Sequence, residues 1–351
     1  MFKTFSDPYL QFAFIVGTGA VALTVLLIGV VVCLRLNLQK NQRLEDAFME
    51  VWRPILLQSI SSKVMPDLPK LHASSQVFFL KLWNYLQESL RGIANERLND
   101  VAVELGCDVV ARALLKKGNR AERLLATLTL AHLRDEKSWD VLVVQAESDD
   151  GLASIHAARA LINIDPLKGI DLLLPMLLKR HDWSVAQLAN FLRTAERAFW
   201  LHLSKNILQM DKDLWTRALQ MADALNLQLP PQSMRYIIRN CDSAETLVMA
   251  FRTASGMGLL PLVRSYLNHS DWRVRVEVAG FLQRFGDMED AESLKGGLED
   301  PHWWVRYAVA QALVKMPFFG AKRLLALRAR SNNEMVRAML DHVLAERQVS
   351  P

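Results

Sequence analysis

The C-terminal part of the chain repeats a short pattern at a fixed step. The valine–arginine pairs that carry the pattern are Val274-Arg275, Val305-Arg306 and Val336-Arg337, which are evenly spaced. Small and apolar residues keep the same step, with Ala279 followed by Ala310 and Leu282 followed by Leu313. A period of about 20 to 50 residues is typical of stacked supersecondary units. The pattern therefore predicts an all-α chain built as an α-solenoid.

The repeat can be followed backwards from this region with decreasing clarity. Units about 30 to 32 residues long begin near Ala121, Ala153, Ser184, Leu214, Ala244, Val274, Val305 and Val336. A second apolar segment lies between successive starts, so each unit is expected to form two antiparallel helices joined by a short turn. About eight such hairpins are predicted to fill residues 119–351.

One unit carries a family resemblance. Residues 299–316, EDPHWWVRYAVAQALVKM, resemble the HEAT-repeat consensus, especially its variant named after phycobilisome lyases. The matching positions are Asp300, Pro301, Val305, Arg306, Ala310, Ala312 and Leu313. The unit before it has His269-Ser270 where this one has Asp-Pro, and the unit after it keeps only Val336 and Arg337. The resemblance implies a right-handed solenoid with a concave groove, in which the motif aspartate and arginine bond between repeats.

The N-terminal segment is strongly apolar, with no charged residue from Pro8 to Leu34. Because a helix needs about 20 apolar residues to cross a bilayer, residues 10–36 are predicted to form one transmembrane helix after a short tail, residues 1–9. A cleaved signal peptide would have a shorter apolar run and a more basic start than Lys3 alone provides. Arg35, Lys40 and Arg43 follow the span, so the positive-inside rule places the C-terminal domain in the cytoplasm, at a bacterial inner membrane.

The segment between the span and the repeats, residues 37–118, is predicted to hold juxtamembrane helices and a divergent N-terminal cap. Residues 37–60 have apolar positions at helical spacing, and Pro54 is expected to kink this helix or divide it in two. Terminal units of repeat arrays usually depart from the consensus, which agrees with the weak periodicity here.

Composition limits the classes of site that can be expected. The formal net charge is +5, and the three cysteines and eight histidines are scattered without the spacing of a metal site. We therefore expect no disulfide framework, no metal and no cofactor. The basic residues alternate with acidic ones and form no lysine-rich run, so no nucleic-acid partner is expected.

Tryptophans and arginines near the turns are the candidate partner-binding residues. They are Trp183, Trp215, Trp272, Arg273, Arg275, Trp303, Trp304, Arg306 and Arg337. One interpretation is structural: the rings bury against the next repeat and the arginines bond between layers. The other is a row of exposed aromatic anchors that binds an acidic or amphipathic peptide, since tryptophan and arginine are enriched at interface hot spots.

These features predict a membrane-anchored scaffold or adaptor whose cytoplasmic solenoid binds a protein partner, in the manner of accessory proteins of bacterial envelope or polysaccharide-export complexes. No catalysis is expected. The alternative is a HEAT-like enzyme, of the lyase or base-excision type, or a nucleic-acid binder held at the membrane. HEAT-like base-excision enzymes use tryptophan, aspartate and arginine, and this chain has Asp182-Trp183 and Asp271-Trp272. A single pocket with a lone carboxylate beside tryptophan would favour the enzyme.

Overall fold

The computed structural model describes residues 8–61 and 65–349, and every regular element in these residues is a helix. The chain forms two compact units, Met1–Ser138 and Trp139–Pro351. The helices of the first unit are α1 (Pro8–Ser61), α2 (Gln76–Ser89), α3 (Ile93–Glu104), α4 (Cys107–Lys117) and α5 (Arg120–Leu133). Residues 1–7 of the predicted tail, which include Lys3, lie outside the described part of the chain.

Helix α1 is a single element of 54 residues, which corresponds to a length of about 80 Å. Its segment Val16–Leu36 has a mean hydropathy of 2.5 and is long and apolar enough to cross a membrane. Length and composition alone fit both a membrane span and a signal sequence. The predicted span and the predicted juxtamembrane helix thus belong to one helix. The helix also continues through Pro54 and is not divided there.

The C-terminal third of α1 packs into the core of the first unit. Trp52 and Leu56 are buried, and the ring of Trp52 meets that of Phe79 edge-on with centroids 5.1 Å apart. The indole nitrogen of Trp83 donates a 2.7 Å hydrogen bond to the carbonyl of Leu98, so the buried polar atom is satisfied. Helix α5 begins with a capping box between Asn119 and Glu122.

The second unit contains fourteen helices among its described residues, separated by short turns and 3₁₀ segments. They are α6 (Trp139–Ala146), α7 (Gly151–Ile164), α8 (Pro166–Lys179), α9 (Val185–Leu192), α10 (Glu196–Asn206), α11 (Lys212–Ala224), α12 (Pro231–Asn240), α13 (Ala244–Thr253), α14 (Leu260–Arg264), α15 (Trp272–Phe285), α16 (Met288–Leu294), α17 (Trp303–Lys315), α18 (Gly320–Arg330) and α19 (Glu334–Val349).

Alternate helices of this unit stack on one another. In the series α7, α9, α11, α13, α15, α17 and α19, each helix packs against the next. The predicted unit starts from Ala153 to Val336 all fall at the N-cap or in the first turn of these seven helices. The start near Ala121 falls in α5, in the first compact unit. The fold is therefore all-α and built from helical hairpins with the predicted period.

Small residues permit this stacking. Ala279 and Leu282 of α15 and Ala310 and Leu313 of α17 are fully buried, and these two helices pack against each other. Small side chains let the helix backbones approach, and the leucines fill the space between layers. The regular step of the sequence pattern is thus the step of the packing contacts.

Candidate functional site

One arginine of the valine–arginine column, Arg275, links its repeat to the next. Arg275, near the start of α15, donates from Nε and Nη2 to the two carboxylate oxygens of Asp300, at 2.7 and 2.9 Å. Its Nη1 donates to the carbonyls of His269 and Ser270 in the turn before its own helix. Burial raises the pKa of Asp300, but the Arg275 guanidinium and the hydrogen bond from the His302 N–H together lower this pKa below its ordinary value. Arg275 is therefore a structural residue that joins two repeats.

Arg306 repeats half of this arrangement in the next unit. Its Nη1 donates to the carbonyls of Asp300 and Pro301, which lie exactly one repeat after the carbonyls that Arg275 binds. The position equivalent to Asp300, however, is Ser331, and Arg306 has no carboxylate partner among the described residues. Its Nε is buried without a hydrogen-bond partner in the described part of the chain.

The equivalence of these turns is visible in their own hydrogen bonds. The backbone N–H of His302 donates to the side chain of Asp300, and the N–H of Asn333 donates in the same way to Ser331. Both bonds close a turn from residue i to residue i+2 before the next helix of the stack. Ser331 thus replaces Asp300 in closing the turn but offers no carboxylate to the preceding arginine.

The aromatic residues show the same difference between the two units. Trp272 is stacked on His302 of the next repeat, with centroids 3.9 Å apart and an interplanar angle of 5°. Trp303 occupies the position equivalent to Trp272 in the following unit, and the residue equivalent to His302 is Asn333. The Trp303 side chain is 41% exposed, and its neighbour Trp304 is 52% exposed.

Trp303, Trp304, Tyr307 and His342 form a cluster, which we call the aromatic patch. Trp303 stacks on Tyr307 with centroids 5.1 Å apart and meets Trp304 edge-on at 4.8 Å. His342 of α19 lies 5.9 Å from the Tyr307 ring. The Tyr307 hydroxyl and the Gln311 amide both bond the Glu346 carboxylate, which fixes α17 against α19. The patch is thus an exposed aromatic surface on a rigid support.

Two of the predicted anchors are excluded from such a surface. Trp183 is 1% and Trp215 2% exposed, and their indole nitrogens donate to Ser154 Oγ and to the Ile207 carbonyl. The prediction of these two as partner-binding residues is corrected: their rings fill the core of the solenoid. Trp183 precedes the N-cap of α9 and Trp215 lies in the first turn of α11, whereas Trp272 and Trp303 are the first residues of α15 and α17.

The remaining candidates are ion-paired or exposed. Arg273 pairs with Asp271 at 2.7 Å, and its hydrogen bonds lower the pKa of Asp271 to about 2. Asp182, beside the buried Trp183, pairs in the same way with Arg180. Both carboxylates that precede a tryptophan are therefore held by an adjacent arginine. Arg337 lies exposed on α19.

Comparison with known proteins gives one family. Residues 238–314 match the family model of HEAT repeats. The matched segment contains the starts of α13, α15 and α17 and the Arg275–Asp300 pair, so the motif that the sequence resembles is the one that joins the repeats here. No curated protein matches the chain. The crystal structure of an engineered protein from a structural genomics consortium has 17% identity and a TM-score of 0.24, covering 76% of this chain and 97% of that one.

Tyr307, His342 and Glu346 are parts of the site that the sequence pattern did not reveal. Tyr307 lies four residues after Trp303 on the same helix face, a spacing that could have identified it. His342 and Glu346 come from α19, where the repeat pattern keeps only Val336 and Arg337. Their place beside Tyr307 depends on how α19 packs, which no local signal encodes.

Proposed function

We propose that this chain is a membrane-anchored adaptor whose HEAT-repeat solenoid binds a protein partner through the aromatic patch. The observation that carries the proposal is the exposure of Trp303 and Trp304. In the same repeat array, Trp183 and Trp215 are buried. Large rings that remain accessible on a rigid surface lose little conformational entropy on binding and are frequent hot spots.

The apolar segment Val16–Leu36 supplies the anchor in this proposal, and the basic residues Arg35, Lys40 and Arg43 that follow it support a cytoplasmic solenoid. Anchoring confines the protein to the membrane and so raises the effective concentration of any partner confined there. A contact of modest area, such as the aromatic patch offers, then suffices for assembly. An accessory role in a bacterial envelope or polysaccharide-export complex fits this mechanism and remains a prediction.

The test is crosslinked capture from native membranes with the full-length chain. Trp304→Ala removes an exposed ring of the patch, and Leu201→Ala removes a side chain of similar exposure, 45%, on α10. We expect a captured protein that is lost with Trp304→Ala and retained with Leu201→Ala. A capture pattern that is identical for wild type and Trp304→Ala would contradict the proposal.

The alternative of an enzyme or nucleic-acid binder is not favoured by a particular contact in the described residues. Asp182 and Asp271, which gave that alternative its support, are both committed to ion pairs with adjacent arginines. This alternative remains a prediction, and a nucleic-acid binding assay would test its second form.

A further inference from the structure

Two side chains of α15 contact the turn that begins the next repeat. The two equivalent side chains of α17 do not find the same residue types in the turn that follows them. Arg275 binds Asp300, and Trp272 stacks on His302, so that one Asp-Pro-His turn satisfies two side chains of the preceding helix. The equivalent turn of the following repeat is Ser331-Asn332-Asn333. It closes with the same internal hydrogen bond but presents neither a carboxylate nor an imidazole.

The consequence is an arginine whose hydrogen-bonding capacity is incompletely used. Arg306 keeps the two carbonyl bonds of its own turn, while its buried Nε has no hydrogen-bond partner among the residues described. A buried donor of a charged group without a partner costs free energy, and a carboxylate is the group that best matches the planar guanidinium. Trp303, one helical turn away, is exposed on the same element.

We infer that Arg306 and Trp303 together bind an acidic turn of a partner protein, of the type Asp-x-His that Arg275 and Trp272 bind within this chain. Because Nε is buried, the partner carboxylate accepts its hydrogen bond from Nη2 of Arg306, and the ring two residues later packs beside the exposed Trp303. This inference rests on the proposed function, because it names the chemistry of the segment that the aromatic patch contacts.

The chain itself supplies the probe. A fluorescein-labelled peptide of residues 296–304, GGLEDPHWW, carries the turn that Arg275 recognises. A second peptide differs only in having asparagine in place of the aspartate. Fluorescence anisotropy with the full-length chain in lipid nanodiscs is expected to show binding of the aspartate peptide about tenfold tighter than that of the asparagine peptide. Free N-acetylaspartate, which lacks the ring, is expected not to compete at the concentration of the peptide.

Two substitutions separate the site from general effects of charge. Ser331→Asp places a carboxylate at the position equivalent to Asp300, so it should occupy Arg306, raise the Tm and abolish the preference for the aspartate peptide. Asn332→Asp adds the same charge at the adjacent exposed residue and should leave the preference unchanged. Arg306→Gln should abolish the preference without creating a new ion pair.

Equal affinity for the two peptides, no binding of either, or a preference that survives Ser331→Asp would overturn the inference. Competition by N-acetylaspartate would also overturn the inference, because it would mean that Arg306 binds a carboxylate without the neighbouring ring. These results would leave the proposed function standing if capture from membranes still depended on Trp304. Loss of that dependence, with the peptide preference intact, would overturn the proposed function instead.

Discussion

Arg275 of one repeat and Asp300 of the next form a bidentate ion pair, and their side chains are only 14% and 10% exposed. The pair joins the start of α15 to the turn before α17. An ion pair at this depth is weakly screened, and removing one partner leaves a charge that water cannot fully solvate. The contact therefore couples adjacent repeats as well as supporting the turn.

We expect Asp300→Asn to lower the free energy of unfolding by on the order of 3 kcal/mol, because Arg275 loses its carboxylate. Chemical denaturation of the full-length chain in detergent, followed by tryptophan fluorescence, measures this change. Asp242→Asn removes an exposed pair with Lys212 and should change the free energy by less than about 0.5 kcal/mol. Equal effects of the two substitutions would show that the inter-repeat pair adds no stability.

The same carboxylate makes stability depend on pH. The pKa of Asp300 is lowered in the folded chain from its ordinary value of 3.8. Its contribution is therefore fully present above about pH 4 and is lost as the pH falls through the lower folded pKa. The Tm of wild type should fall more steeply than that of Asp300→Asn below about pH 4. Parallel Tm curves for the two proteins would contradict this assignment.

The period of the repeat was sufficient to predict the helices of the stack. A constant step in the sequence is expected where each unit makes the same contact with the next. The seven predicted unit starts from Ala153 to Val336 accordingly lie at the starts of helices. The apolar run at the N-terminus predicted a helix over residues 10–36 in the same way. Its unbroken extension to Ser61, through Pro54, was not predictable, because packing of Trp52 and Leu56 holds the helix on both sides of the proline.

Burial should distinguish the tryptophans in a stability measurement. Trp183→Ala removes a fully buried ring and its hydrogen bond to Ser154, and should cost about 3 to 5 kcal/mol. Trp304→Ala removes a ring that is 52% exposed and should cost about 1 kcal/mol or less. Denaturant midpoints for the two variants, measured at equal protein concentration, test the difference. A larger loss for Trp304→Ala would mean that its ring supports the fold.

The tryptophans also show what the sequence could not reveal. Trp183 and Trp304 each stand one residue before a predicted unit start, yet Trp183 is buried and Trp304 is exposed. The position of a tryptophan in the repeat therefore does not decide whether its ring lies inside or outside the core. That Arg306 has no carboxylate partner among the described residues was likewise evident only after Ser331 had been aligned with Asp300 through the hydrogen bond that closes each turn.

The anchor predicts how the protein partitions. Wild type should stay in the membrane fraction after alkaline carbonate washing, and deletion of residues 1–36 should move it to the soluble fraction. An N-terminal fluorescent tag should remain joined to the solenoid on a denaturing gel. Separation of the tag from the solenoid would identify the apolar segment as a cleaved signal sequence.

The most direct measurement is site-specific photo-crosslinking in native membranes, with Trp304→p-benzoylphenylalanine in the patch and Leu201→p-benzoylphenylalanine as the control. We expect a discrete adduct with one protein from position 304, its loss when Arg306→Gln is added, and no such adduct from position 201. The absence of an adduct at position 304, or the same adduct from both positions, would contradict the account of this chain as an adaptor that binds through its aromatic patch.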